Sequence, residues 1–149
     1  MKNWLAFDPG ASGALCCLYE DGTMEFIDFK KEGLKGYINW SPNSLELQMC
    51  AIEKVRAMPG QGVSSMLSLG RRVGELEGML QTLEIGYVEI RPQEWQKACG
   101  VVPKSGKKGI YETISRIYPD APLKGPKGGL LDGRADALGI AHYLRKTYP

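Results

Sequence analysis

Apolar positions fall in short runs over the first third of the chain and then give way to longer helical periods. Asn3–Phe7 is a short apolar run that stops at Asp8, and Ala14–Tyr19 is a second. Between them, Asp8-Pro9-Gly10-Ala11-Ser12-Gly13 is turn chemistry, with proline fixing φ and the glycines free to take unusual backbone angles. Glu20-Asp21-Gly22-Thr23 carries the acidic-Gly signature of a hairpin, and Met24–Phe29 alternates as a third strand. Together these predict an antiparallel meander. Leu34–Trp40 predicts a short helix, broken at Ser41-Pro42-Asn43. Leu47–Ile52, ending at Glu53, is apolar at nearly every position and predicts a fourth, central strand.

Beyond a Pro59-Gly60-Gln61-Gly62 loop, Val63–Leu83 predicts the longest helix. Gly86–Ile90 predicts a fifth strand halted by Arg91-Pro92, and Gln93–Ala98 a helical turn. After a loop at Lys104-Ser105-Gly106-Lys107-Lys108, Ile110, Ile114 and Ile117 recur at helical spacing. Pro119–Gly129 is rich in Pro, Gly and Lys and is expected to be mobile. Leu130–Lys146 predicts a closing helix. Antiparallel strands followed by alternating strands and helices imply an α/β fold: a mixed five-stranded sheet flanked by helices, with 1–149 as a single domain.

Composition narrows the class. Apolar residues make up 43% of the chain and charged residues 24%, enough for a packed core. No apolar run reaches the length of a membrane span, and the N-terminus breaks at Asp8-Pro9-Gly10 before a signal-peptide stretch could form. The expectation is a soluble intracellular protein with reduced thiols at Cys16, Cys17, Cys50 and Cys99, none of them at C-x-x-C spacing. Cys16 and Cys17, adjacent on one strand, are not expected to face its core together. Charge is uneven. Residues 1–90 hold 8 Lys and Arg against 12 Asp and Glu, and residues 91–149 hold 11 against 5. A basic second half is consistent with a polyanion partner or with a solvated basic surface.

The chemistry concentrates in carboxylates at strand ends. Asp8 and Glu53 each close an apolar strand, and in a parallel neighbouring pair those ends would lie about 5 Å apart. Two acids so placed raise each other's pKa unless a divalent cation neutralises them. Alternatively, Asp8 caps its turn and Glu53 pairs with Lys54 or Arg56. Asp132 and Asp136, four apart on the closing helix, share one face. A first-turn position beside the helix dipole would account for Asp132 but not for Asp136, flanked by Ala135 and Ala137, whose small side chains let the helix lie close to the sheet. Four converging carboxylates form an oxygen-only set suited to two Mg²⁺ ions, or to Mn²⁺ as a substitute, and to in-line phosphodiester hydrolysis.

The order Phe7-Asp8-Pro9-Gly10, then Ala51-Ile52-Glu53-Lys54-Val55, then Asp132-Gly133-Arg134-Ala135-Asp136-Ala137-Leu138 resembles a RuvC-type Holliday junction resolvase of the phage and organellar-like branch. Pro59-Gly60-Gln61-Gly62-Val63-Ser64-Ser65-Met66, Leu69-Gly70-Arg71 and Arg91-Pro92-Gln93-Glu94-Trp95 add to the likeness, which spans nearly the whole chain. The resemblance implies an RNase H-like fold, a homodimer, and Mg²⁺-dependent nicking of four-way DNA junctions at symmetric positions. It implies a setting in the cytoplasm of a bacterial or phage-infected cell, or in an organellar matrix. By position, Asp8, Glu53 and Asp136 match acids of the family's metal site. Bacterial resolvases place their third acid, or a histidine, where Gly133 stands here. Asp132, one residue earlier, follows the Asp-Gly-Arg-Ala-acid pattern of the other branch and is the fourth candidate.

Further residues have two readings each. Lys104, Lys107 and Lys108 could hold DNA phosphates, as the resemblance supports, or be merely solvated; Arg71, Arg72, Lys124 and Lys127 are similar. Arg134 could reach a phosphate or pair with a neighbouring aspartate. Gly70, Gly74 and Gly78 share one helix face, where close packing inside the chain or at a dimer interface would justify their cost in helix stability. Trp95 and Tyr111 could stack on unpaired bases but are expected to pack in the core or an interface. His142 is expected at a surface or interface, turned away from the acids. Rival functions are a less selective branched or flap DNA nuclease and a non-catalytic junction-binding module. A nucleotide binder of the actin or sugar-kinase kind, suggested by the 8–13 turn, would need two such domains, more than 149 residues supply.

Overall fold

The computed structural model describes residues 1–40 and 46–149, so the predicted break at Ser41-Pro42-Asn43 lies outside the described residues. Strands β1 (Asn3–Phe7), β2 (Ala14–Tyr19), β3 (Met24–Asp28), β4 (Leu47–Glu53) and β5 (Val88–Ile90) form one five-stranded sheet in the order β3-β2-β1-β4-β5. The meander is present, β1 pairing antiparallel with β2 and β2 with β3. β4 runs parallel to both β1 and β5, in the central position its apolar run predicts. In the β1–β4 register Phe7 lies opposite Ile52, so the next residues, Asp8 just past β1 and Glu53 at the end of β4, stand side by side at that edge of the sheet.

Among the described residues five helices flank the sheet: α1 (Phe29–Asn39), α2 (Val63–Thr82), α3 (Pro92–Cys99), α4 (Gly106–Ile117) and α5 (Asp132–Thr147). One face buries Ala6, Cys16, Leu18 and Ala51 against Trp95, Ile114, Leu138 and Leu144 of α3, α4 and α5. The other buries Leu5, Leu15, Cys17, Cys50 and Ile52 against Tyr37, Leu76 and Leu80 of α1 and α2. Adjacent Cys16 and Cys17 do not face one core together: they point to opposite sides of the sheet, and both are buried because both faces are covered. All four cysteines are free and buried. Ala135, Ala137 and Ala141 are buried as α5 lies against the sheet. Among the described residues no helix is long and apolar enough to cross a membrane.

Several boundaries differ from the sequence reading. Phe29, expected to end β3, opens α1, where its ring packs 5.8 Å from that of Tyr37. α1 bends at Gly33, whose φ of 64° suits glycine, and so starts well before Leu34. β5 has only the three residues that face Ala51–Glu53 of β4. α3 runs on to Cys99 and ends on Gly100 at φ 81°. α4 begins at Gly106, placing Lys107 and Lys108 in a helical first turn and not in a loop. The Pro119–Gly129 stretch is closed by a bridge between Lys124 and Leu130 and anchored by buried Leu123. His142 is not a free surface group: its Nδ1 lies 2.8 Å from the Tyr118 hydroxyl, with the rings edge to face.

The three glycines of α2 correct another expectation. Among the described residues a Cβ at Gly70, Gly74 or Gly78 would meet nothing within 4 Å, so no close approach to them explains these glycines. With Val63 (85% exposed) and Leu67 (68% exposed) they form a small-residue and apolar stripe facing away from the core.

Candidate active site

The site grows out of the turn that follows β1. The Asp8 N–H donates to the Ala14 carbonyl at 2.9 Å and the Gly13 N–H to that of Gly10 at 2.9 Å, folding the chain tightly back into β2. A Cβ at Gly13 would overlap the Asp8 carbonyl, so only glycine fits there. Asp8 Oδ1 accepts the Gly10 N–H at 3.0 Å, so its capping role and its place in the site coexist. α5 docks on the same turn through Gly133, where a Cβ would collide with the Ser12 carbonyl. That contact brings the first turn of α5, with Asp132 and Asp136, over the ends of β1 and β4.

The electrostatics record this gathering. Burial is the main reason the Asp8 carboxyl is pushed up to about 6, and Asp132 adds to it; the Gly10 N–H, Arg72 and Lys107 pull the other way. Burial and then Asp8 push Glu53 up to about 7, against the hydrogen bond from Trp95. Asp136 is held well above the carboxylate range by burial, then by Asp8, Glu53 and Asp132, with Lys107 opposing. Acids from three distant parts of the chain thus act on one another's charge.

The four carboxylates feel one another's charge without having closed on a common point. Among the described residues no three His, Cys, Asp or Glu side chains stand close enough to hold an ion as they are. Their chemistry nevertheless fits a hard divalent cation. Asp8 accepts one hydrogen bond and Glu53 one, while Asp136 accepts none among the described residues. Buried carboxylates so short of donors are best relieved by a cation drawing them together.

Trp95 packs in the core as expected, but its contact with Glu53 is what sequence reasoning missed. Its indole Nε1 donates to Glu53 Oε2 at 2.7 Å from a fully buried position on α3. The ring lies against Gly139 of α5, where a Cβ would overlap it. A buried tryptophan needs a partner for its N–H, and that was the signal available in the sequence. Glu53 pairs with neither Lys54 nor Arg56 as alternatively expected.

The basic candidates separate by position. Lys107 lies 3.2 Å from Asp132 Oδ2 and Arg72 Nε donates to the Pro9 carbonyl at 3.0 Å, so both border the acids. Lys104, Lys108 and Arg71 are exposed. Arg134 pairs with neither Asp132 nor Asp136. Its guanidinium makes a two-pronged bond to Asp28 at 2.8 and 2.7 Å and donates to the Pro122 carbonyl, a structural clamp between α5 and the end of β3. Tyr111 packs in the core periphery with Lys124 over its ring.

No protein-family model and no curated protein sequence matches the chain. Solved structures do. RuvC of T. thermophilus in complex with a Holliday junction substrate superposes with a TM-score of 0.67 at 12% identity, covering 99% of this chain and 96% of that one. The chain has the RuvC fold. A second Thermus thermophilus RuvC structure gives 0.66 at 14% identity over 98% and 97% of the two chains. The yeast mitochondrial Holliday junction resolvase Ydc2 gives 0.53 at 14% identity, covering 97% of this chain and 81% of that one. The mixed sheet and its flanking helices, expected from the order of strands and helices, are therefore shared with RuvC.

Proposed function

We propose that this protein is a structure-selective endodeoxyribonuclease that resolves four-way DNA junctions by paired symmetric nicks, acting as a homodimer of one nuclease domain over residues 1–149. The observation that carries the reading is the parallel β1–β4 register, which sets Asp8 beside Glu53 beneath Asp132 and Asp136 within a RuvC fold. Those four acids would hold two Mg²⁺ ions, which when bound supply Lewis-acid activation of water and stabilise the departing oxygen. The chain's own residues supply position and charge. Trp95 fixes one oxygen of Glu53 while leaving the other free. Lys107 and Arg72 offset the negative charge beside the acids, and Lys104, Lys108 and Arg71 offer further contacts to phosphates. The exposed stripe of α2 is the surface where two copies would meet, and small residues there permit close helix approach.

The structural neighbours support a junction-resolving nuclease, one of them having been solved on a Holliday junction. The test is incubation with a synthetic four-way junction with and without Mg²⁺, mapping nicks on all four strands beside flap and duplex controls. Symmetric paired nicks in the junction alone are expected, and Asp8→Asn should bind the junction without cutting. Equal cutting of flaps would support the less selective nuclease, and tight binding without nicks in any metal would leave a non-catalytic module.

A further inference from the structure

Glu53 ends β4, and the chain leaving it forms a wall of an open cleft of about 540 Å³. Two further spaces, of about 150 and 490 Å³, continue it past the first turns of α2 toward Gly10 and Arg72, and Gln61 and Leu69 line all three. The cleft combines three kinds of group. Lys54, Arg56 and Arg91 are exposed cations along it. Val55, Met58 and Leu69 give it apolar surface, and Met58 is 59% exposed with no role in either core. Gln61 from the loop before α2 and Gln93 from the first turn of α3 add two side-chain amides.

Each kind answers one part of a nucleotide. Cations take flanking phosphates, apolar side chains take the face of a base, and an amide offers a donor and an acceptor to its edge. A paired base inside a duplex exposes neither face to such a cleft, whereas an unpaired one can enter it. The volume lies within the roughly 300–1,000 Å³ of small-ligand sites. The cleft opens one residue beyond Glu53, so a strand crossing the acids would lay its neighbouring nucleotide there.

We infer that this cleft receives one unpaired nucleobase next to the scissile phosphate, and that Gln61 and Gln93 read its identity and so set where the strand is nicked. The inference rests on the nuclease reading above. The test uses junctions randomised at the bases flanking the nick, cut by the full-length wild type, Gln61→Ala, Gln93→Ala and the double variant. The wild type should favour one base at one flanking position by about tenfold, and the ratio should fall toward one in the double variant. Unchanged unfolding midpoints would show that the variants fold. In parallel, Asp8→Asn protein bound to a junction carrying 2-aminopurine at that position should change its fluorescence, and adding Gln61→Ala should remove the change. Nicks spread evenly over all four bases, or variants that keep the wild-type ranking, would overturn the inference while leaving the nuclease intact. Folded wild type that nicks no junction would instead overturn the nuclease reading and the inference with it.

Discussion

Trp95→Phe isolates one hydrogen bond. Phenylalanine keeps the apolar bulk under α5 and removes only the donor that holds Glu53 Oε2 at 2.7 Å. A hydrogen bond to a charged group contributes about 1.5–3 kcal/mol, or about 1–2 pKa units favouring the ionised carboxylate. Glu53 already stands at about 7 because burial and Asp8 outweigh that bond, so losing it moves the carboxyl further up. At pH 7 most of the population would carry a proton on Glu53 and bind a divalent cation poorly. The Mg²⁺ midpoint for junction nicking should rise by about tenfold, and the alkaline rise of the pH–rate profile should move up by about one unit. Near pH 9 the two proteins should converge, because the carboxylate is then ionised in both. Equal Mg²⁺ midpoints at pH 7 with superimposable pH profiles would refute the positioning role. Gly139→Ala supplies an independent check, since its Cβ overlaps the Trp95 ring and overpacking of this kind costs about 1–3 kcal/mol. In the Trp95→Phe background that cost should shrink. Two losses that simply add would mean that the ring is not held where Gly139 leaves room for it.

Four further outcomes follow from the same geometry. Asp8 and Glu53 hold protons more tightly folded than unfolded, so without metal their effect on stability is most favourable below about pH 4 and is lost as pH rises through 6 to 7. Calorimetry in chelator should therefore show Asp136→Asn melting above wild type at pH 8 but not at pH 4, with Mg²⁺ raising the wild type more; a wild-type midpoint flat from pH 5 to 8 would contradict the buried cluster. Lys107→Ala removes a pair whose lysine is 75% exposed, so stability should change by less than about 1 kcal/mol, while the salt dependence of junction binding should lose about one unit of slope. Gly133→Ala should lower the melting midpoint and depress nicking, because α5 can no longer rest on the Ser12 carbonyl; a fully active, equally stable variant would show that the docking is not needed. Gly74→Arg should yield a monomer by light scattering with the fold intact, since among the described residues an added Cβ there meets nothing within 4 Å; persistent dimers would remove the stripe from the interface.

Much of this site was legible before folding because its signals are local. A carboxylate where an apolar strand stops is conspicuous, and Asp8 and Glu53 both stand out against Asn3–Phe7 and Leu47–Ile52. The meander, the long α2 and the closing α5 follow from period and turn chemistry. Errors cluster where a local signal has two solutions. Phe29 suits a strand or a helix start, and only its packing on Tyr37 decides. The lysines at 107 and 108 look like loop residues until Ile114 is buried and draws the helix back to Gly106.

The one-dimensional pattern by itself determined which residues are acids at strand ends, which segments alternate, and that Asp132 and Asp136 share a helix face, because each depends on neighbours a few positions away. Only the tertiary structure decided which charges meet. Trp95 reaches Glu53 across 42 positions and Arg134 reaches Asp28 across 106. Such pairings are set by how α3 and α5 pack on the sheet, through glycines at 133 and 139 whose missing side chains matter only once another part of the chain lies against them.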